Sequence, residues 1–252
     1  MSQNESHATN ANPANESPSQ QLSEGPGTLW VTSTPIGNLG DITLRAVDIL
    51  KSVDLIACED TRVTRKLLNH IGSDRPTIAY HEHNEKELSI TLADRIETGE
   101  SIALVCDAGT PLLSDPGFRV VRECQRRNLP VSPLPGPSAL LAALAASGLP
   151  PHAFFYAGFP APKSAARHKL LTKHADADYT LILYESCHRI AKLAADIETI
   201  LGPDRVVCIC RELTKRFETF LRGPISEVAP KIIGANVKGE FVVIIAPTGY
   251  DA

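Results

Sequence analysis

The chain has 252 residues, 43% apolar and 21% charged, with 16 glycines and 19 prolines. These are globular proportions; they exclude a fibrous, a disordered or a disulfide-scaffold protein, and the length suits one large domain or two small ones. The net charge is −4, and because Glu5, Glu16 and Glu24 face no base within residues 1–27, the remainder holds 25 bases against 26 acids. A body so nearly neutral cannot hold a polyanion by bulk charge, so any nucleic acid must be bound by local patches or a shaped site.

Residues 1–27 are rich in Asn, Ser, Gln, Pro and Ala and lack the basic start and apolar stretch of a signal peptide. They read as a disordered tail. From Thr28 onward short apolar runs alternate with amphipathic stretches. Strands are expected at 29–32, 53–58, 77–80, 102–106 and 131–134, each followed by a helix, at 43–51, 61–71, 85–97, 115–127 and from 138. Such alternation marks a mostly parallel α/β sheet. The chain turns at Leu149-Pro150-Pro151-His152. A second set follows, with strands at 154–159, 179–184, 206–211, 218–222 and 240–246 and helices at 163–174, 187–201 and 225–233. Two of these strands adjoin without a helix between them, which suggests a mixed sheet. The division expected is an N-terminal α/β domain at 28–149, a C-terminal α/β domain at 150–248 and a short tail at 249–252.

Residues 128–162 carry no Asp, Glu, Lys or Arg but include eight prolines, so the longest unbroken apolar helix is about ten residues, where a membrane span needs about 20. No transmembrane helix is expected. The six cysteines (Cys58, Cys106, Cys124, Cys187, Cys208, Cys210) form no C-x-x-C pair. Several sit in apolar strand-like runs, as small hydrophobes do, and they read as reduced and cytoplasmic.

In open α/β sheets, ligands sit beyond the carboxyl ends of the strands, and the unusual residues follow the strands here. After the first comes Thr34-Pro35-Ile36-Gly37-Asn38-Leu39-Gly40-Asp41. This is a tight turn that permits close backbone approach, without the G-x-G-x-x-G dinucleotide fingerprint. After the fourth comes the run from Asp107 to Gly117, whose two glycines and two prolines fix an irregular backbone able to offer peptide groups to a polar ligand. After the fifth comes Pro135-Gly136-Pro137-Ser138-Ala139, where Ser138 either caps the next helix or offers its hydroxyl to a ligand. Glu59-Asp60-Thr61-Arg62 and Glu185-Ser186-Cys187-His188-Arg189 place charge at strand ends, where a plain acidic helix start is the alternative. His81-Glu82-His83 lacks a third convergent metal ligand in sequence, so no metal is expected. No Walker-type phosphate loop occurs.

Together, the turn at 35–41, the loop at 107–117 and the loop at 135–139 resemble the tetrapyrrole methylase family. Four further runs resemble the branch of that family that methylates ribosomal RNA: Glu59-Asp60-Thr61-Arg62, His83-Asn84-Glu85, Glu185-Ser186-Cys187-His188-Arg189 and Arg211-Glu212-Leu213-Thr214-Lys215. Seven motifs in this order over residues 28–246 make the resemblance specific. It implies two α/β domains of the tetrapyrrole methylase type, with S-adenosyl-L-methionine in the cleft between them. It implies transfer of the methyl group to a cytidine ribose 2′-hydroxyl in the decoding region of 16S rRNA, on the small ribosomal subunit, by a cytoplasmic homodimer. A porphyrinoid methyltransferase on the same fold and a non-catalytic ribosome-binding factor are the competing readings. Many members of the branch continue into a small helical segment after the last strand. The sequence ends at Ala252, so RNA is expected to be engaged without that segment.

Residue by residue, the resemblance implies that Pro35 lies beside the methionine portion of the cofactor. Ala108, Gly109, Thr110 and Leu113 would form its main loop, with Ser138 and Ala139 beneath it. Glu185 and Leu213 would contact the adenosine side. A ribose hydroxyl is a weak nucleophile that gains from a base, and Asp60, His83 and Glu59 are the leading candidates. Arg62 could clamp a neighbouring phosphate with its planar fork. Lys163, Arg167 and Lys169 lie in a run without acids until Asp176, which reads as a basic helix face for RNA, extended by Arg211 and Lys215.

Overall fold

The computed structural model describes residues 25–233 and 238–251. The first half runs β1 (Leu29–Thr32), α1 (Leu44–Ser52), β2 (Leu55–Cys58), α2 (Thr61–Ile71), β3 (Thr77–Ala79), α3 (Glu85–Glu97), β4 (Ile102–Val105), α4 (Phe118–Arg126), β5 (Val131–Leu134) and α5 (Ala139–Ser147). The second runs β6 (Phe154–Tyr156), α6 (Ser164–Lys173), β7 (Thr180–Ser186), α7 (Ile190–Leu201), β8 (Val206–Arg211), β9 (Thr219–Pro224), α8 (Ile225–Ile233) and β10 (Glu240–Ile245). The disordered tail expected at 1–27 lies outside the described residues up to residue 24. Gly27 is already docked, its N–H donating to the Ile96 carbonyl at 2.8 Å.

The expected α/β architecture is present. The first sheet is wholly parallel, in the order β3-β2-β4-β1-β5. Its strands β2 and β4 are buried at every position, as parallel strands covered on both faces must be. Side chains alternate between two layers. Leu29, Leu55, Ala57, Ile102 and Leu104 pack against α3 and α4, while Ile56, Cys58, Ala103 and Val105 pack against α1 and α2. The second sheet is mixed, in the order β6-β7-β10-β8-β9, with only β6 and β7 parallel.

Two helices begin later than the sequence suggests. α4 starts at Phe118 rather than near Asp115, because Gly117 takes φ +139° and leaves Asp115 and Pro116 in the loop. α7 starts at Ile190 because Glu185 and Ser186 extend β7 and residues 187–189 form a turn. Among the described residues no helix is long and apolar enough to cross a membrane, and all six cysteines are free.

α5 closes the first half in sequence but packs on the second sheet. Leu140, Ala143 and Leu144 share one buried cluster with Ile182, Cys208, Cys210, Val242 and Ile244. The second half holds this helix at both ends. The Leu140 N–H donates to the Tyr184 hydroxyl at 2.9 Å. At the other end the Arg222 guanidinium donates to the Ala146 carbonyl at 2.8 Å and also to that of Ser147, satisfying carbonyls that a helix terminus leaves free. The opposite face of the second sheet packs on α6, α7 and α8.

The basic run on α6 divides. Lys163 and Lys169 are exposed, but Arg167 turns inward and leaves the RNA-facing set expected from sequence. Its guanidinium Nε donates to Asp196 on α7 at 2.6 Å, and a second nitrogen donates to the Pro162 carbonyl at 2.6 Å. Burial pushes the Asp196 carboxyl up, and hydrogen bonds from His168 and Arg167 more than offset that, leaving it below its ordinary value. Removing one partner of a buried pair strands the other charge. Arg167→Ala is expected to cost about 3–5 kcal/mol in urea unfolding; a loss below about 1 kcal/mol would return Arg167 to the surface.

Candidate functional site

Every chemistry-bearing loop of the first half follows a strand of one parallel sheet, so all five emerge along its carboxyl edge. The loops are stitched together there. Thr34 and Gly109 exchange backbone hydrogen bonds at 2.8 and 3.0 Å. The Thr34 hydroxyl donates to the Cys106 carbonyl at 3.1 Å. The Thr110 hydroxyl donates to the Pro137 carbonyl at 3.0 Å and lies 3.0 Å from the Ser33 hydroxyl. The 107–117 loop, the first turn and the floor at 135–139 are thereby one rigid piece.

Across from them stands the second half, and between the two lies a cleft of about 390 Å³. Ala108, Gly109, Thr110, Leu113, Ser138, Ala139, Glu185 and Leu213 all line it. Pro35 does not. Its neighbour Ile36 takes the wall, and Pro35 faces a smaller cavity next door. Ser138 makes no side-chain capping bond to α5. Tyr184 serves that helix end, so the Ser138 hydroxyl is left for the cleft. Phe159 and Tyr184 also line the cleft; both sit within apolar runs that sequence alone assigns to the core.

Two loops on opposite walls share a backbone signature. Leu112 and Ser114 have φ of 74° and 71°, and Glu212 and Thr214 have φ of 52° and 63°. Each pair brackets a leucine, Leu113 or Leu213, that lines the cleft. Non-glycine residues in this region cost about 1–3 kcal/mol each and persist where the surroundings hold them. The turn after β1 approaches the second of these loops so closely that a Cβ on Gly37 would fall 2.9 Å from the Thr214 hydroxyl and 3.1 Å from the Leu213 carbonyl.

The acids fall into distinct states. Glu185 is buried, and its Oε1 accepts the Ser186 N–H at 2.7 Å and pairs with Arg189 at 2.8 Å. Its Oε2 is buried without a hydrogen-bond partner, a costly arrangement unless a ligand supplies a donor. Asp60 caps α2 and grips Arg62 at 2.6 Å. Hydrogen bonds from the Arg62 side chain, then from its backbone N–H, hold the Asp60 carboxyl at about 2. A base so weak is poorly matched to work near pH 7. His83 is solvent-exposed, 3.6 Å from Glu82. None of Asp60, His83 and Glu59 is on the cleft wall, whereas Asp107 and Asp115 are. Burial, then the charge of Glu59, pushes the Asp115 carboxyl up to about 6. The Glu59 carboxyl is raised by burial and then by Asp107. The signal for Asp115 was present in Ser114-Asp115-Pro116-Gly117, where the proline and glycine delay the helix and leave the aspartate at the strand end.

Among the expected RNA contacts, Arg62 has an 87% exposed side chain despite its ion pair. Lys215 bridges Glu212 and Glu240 at 2.9 and 2.8 Å, and Arg211 donates to the Lys238 carbonyl at 2.8 Å. Among the described residues, no three His, Cys, Asp or Glu side chains converge to hold a metal.

A family profile described as tetrapyrrole (corrin/porphyrin) methylases matches residues 28–229. The chain belongs to the tetrapyrrole methylase family. Within it, this methylase is 50% identical over 222 residues to a protein of Xylella fastidiosa named ribosomal RNA small subunit methyltransferase I, covering 87% of this chain and 81% of the relative. It is 48% identical over 219 residues to a protein of the same name from Vibrio cholerae, covering 86% and 76%. The solved structure of the methyltransferase CobJ superposes with a TM-score of 0.67 at 17% identity, over 90% of this chain and 96% of that one. At that identity the match speaks for the fold of the methylase alone.

The raised Asp115 carboxyl has a consequence for stability. Its folded value, about 6, lies above the ordinary 3.8, so its contribution is fully present below about pH 4 and is lost as the pH rises through 6. Asp115→Asn is expected to raise the thermal midpoint at pH 7 and to flatten its decline between pH 4 and 7. A midpoint–pH profile matching the unsubstituted protein would refute the assignment.

Proposed function

We propose that this methylase transfers the methyl group of S-adenosyl-L-methionine to the 2′-hydroxyl of a cytidine in the decoding region of 16S rRNA, on the small ribosomal subunit. The observation that carries the reading is the 390 Å³ cleft, whose wall holds eight of the nine positions expected to touch the cofactor. The relatives named above supply the branch of the family, and with it the RNA acceptor.

The residues present fit the cofactor. The volume lies within the range of small-molecule sites, about 300–1,000 Å³. Leu113, Leu213 and Phe159 offer apolar faces. The unpartnered Glu185 Oε2 offers an acceptor for a hydroxyl or amino donor, and Gly109, at φ +89°, lets the backbone approach closely. When bound, the sulfonium supplies an activated methyl group. The protein has to align the acceptor oxygen with it, exclude water and accept a proton. Alignment of two bound partners is worth about 7–11 kcal/mol, and a positioned base adds about 10²–10⁴-fold. The stitched loops and the α5 floor supply the rigidity. Asp107 and Asp115 are the carboxylates that the first half brings to the cleft wall, because Asp60 is committed to Arg62. Lys163, Lys169 and Arg62 supply exposed positive charge for phosphates.

Two measurements test this reading. Unmodified 30S subunits incubated with labelled cofactor are expected to acquire one site in the decoding region resistant to alkaline cleavage. Label in a porphyrinoid instead, or in nothing while the cofactor still binds, would overturn it. Glu185→Gln is expected to weaken cofactor binding at least tenfold by calorimetry, with circular dichroism showing the ligand-free protein still folded although the ion pair with Arg189 is lost. Light scattering tests the homodimer that the family resemblance implies.

A further inference from the structure

A second cavity, of about 160 Å³, adjoins the cleft, and among the described residues Asp107 is the one that lines both. Its broad walls are apolar: Pro35 and Leu39 from the turn after β1, Val63 and Leu67 from α2. Its polar groups are few. Lys66 contributes to the lining, beside Thr34 and Asp107. Thr64 lines it as well, and its hydroxyl is buried without a hydrogen-bond partner. Leu39 and Val63 are 42% and 37% exposed, so the mouth is apolar too. Arg62, on the same helical turn, stands 87% exposed.

A cavity of about 150 Å³ accommodates a single six-membered ring. A porphyrinoid, with four pyrrole rings, would not fit. Two apolar faces suit the faces of a base, and a hydroxyl donor suits the carbonyl and ring-nitrogen acceptors along a pyrimidine edge. Enzymes that act on one nucleotide of a stacked strand take it out of the stack and hold its base in such a pocket. We infer that this second cavity binds the unstacked pyrimidine base of the target nucleotide, which sets its ribose 2′-hydroxyl beside Asp107 at the junction of the two cavities. The inference rests on the proposed RNA reading and adds the base subsite and the proton acceptor to it.

The chemistry at the junction balances. The ribose oxygen gives its proton to the Asp107 carboxylate and forms its bond to the methyl carbon, whose bond to sulfur breaks with the electron pair left on a now neutral sulfur. Asp107 then returns its proton to solvent. Asp107 is placed for this, with one carboxylate oxygen fixed by the Asp60 N–H at 3.1 Å. Burial, the largest influence, raises its proton affinity.

The test fills the cavity without touching the cleft. Val63→Phe, at a partly exposed position on α2, is expected to leave the calorimetric dissociation constant for S-adenosyl-L-methionine within twofold and cosedimentation with 30S subunits intact. It should lower kcat/KM for methyl transfer to those subunits at least 100-fold. Thr64→Val should lower kcat/KM about tenfold. Asp107→Asn should lower kcat at least 100-fold with cofactor affinity kept. If Val63→Phe weakens cofactor binding tenfold or more, the cavity belongs to the cofactor and the inference fails. It also fails if Val63→Phe transfers methyl groups at the unsubstituted rate. A parent protein that binds cofactor but methylates no cytidine of the subunit would instead overturn the functional reading on which this rests.

Discussion

The docking of α5 onto the second sheet fixes everything else. Its first residue, Ala139, lies on the floor of the cleft, and its body is buried against Cys208, Cys210, Val242 and Ile244. Each buried leucine of that face is worth about 1.5–3 kcal/mol. Tyr184 and Arg222, both from the second half, hold its two ends. The spacing between the cleft walls is therefore set by core packing, which tolerates little change. A cleft that must align two reactants to within fractions of an ångström is built most securely this way.

Around that floor the protein concentrates what it avoids elsewhere. Four of the five non-glycine residues with positive φ among those described flank the two cleft-lining leucines. Burial, and then their mutual charge, raises the proton affinities of Glu59, Asp107 and Asp115 at the ends of β2 and β4. A buried glutamate keeps one oxygen without a partner. Each departure is opposed by a local constraint: the paired backbone bonds of Thr34 and Gly109, the Arg62 grip on Asp60, and the Lys215 bridge between Glu212 and Glu240. The cost in stability is the counterpart of a site already shaped before its ligands arrive.

Much of this was legible in the sequence for a physical reason. Fully buried parallel strands such as Leu55–Cys58 and Ile102–Val105 read as short apolar runs, and the residues that follow each of them must be loop. The cleft wall was legible because glycine and proline at 107–117 and 135–139 admit few backbone paths. What was hidden depended on partners far along the chain. Ser138 has the form of a cap, but a tyrosine 46 residues later performs that task. Arg167 sits in a basic run, yet Asp196 draws it inward. The run Ala139–Ser147 is apolar almost throughout, so its pattern could not say which sheet it covers.

One hydrophobic cluster joins α5, together with Ile36 from the turn after β1, to the second sheet, while the first sheet packs in clusters of its own against α1–α4. Unfolding of the second sheet exposes the apolar faces of α5 and Ile36, which ties the stability of that sheet to the floor of the cleft. A molecule held in the cleft touches both halves at once, so its free energy of binding stabilises the second sheet and the first together, although their cores are separate.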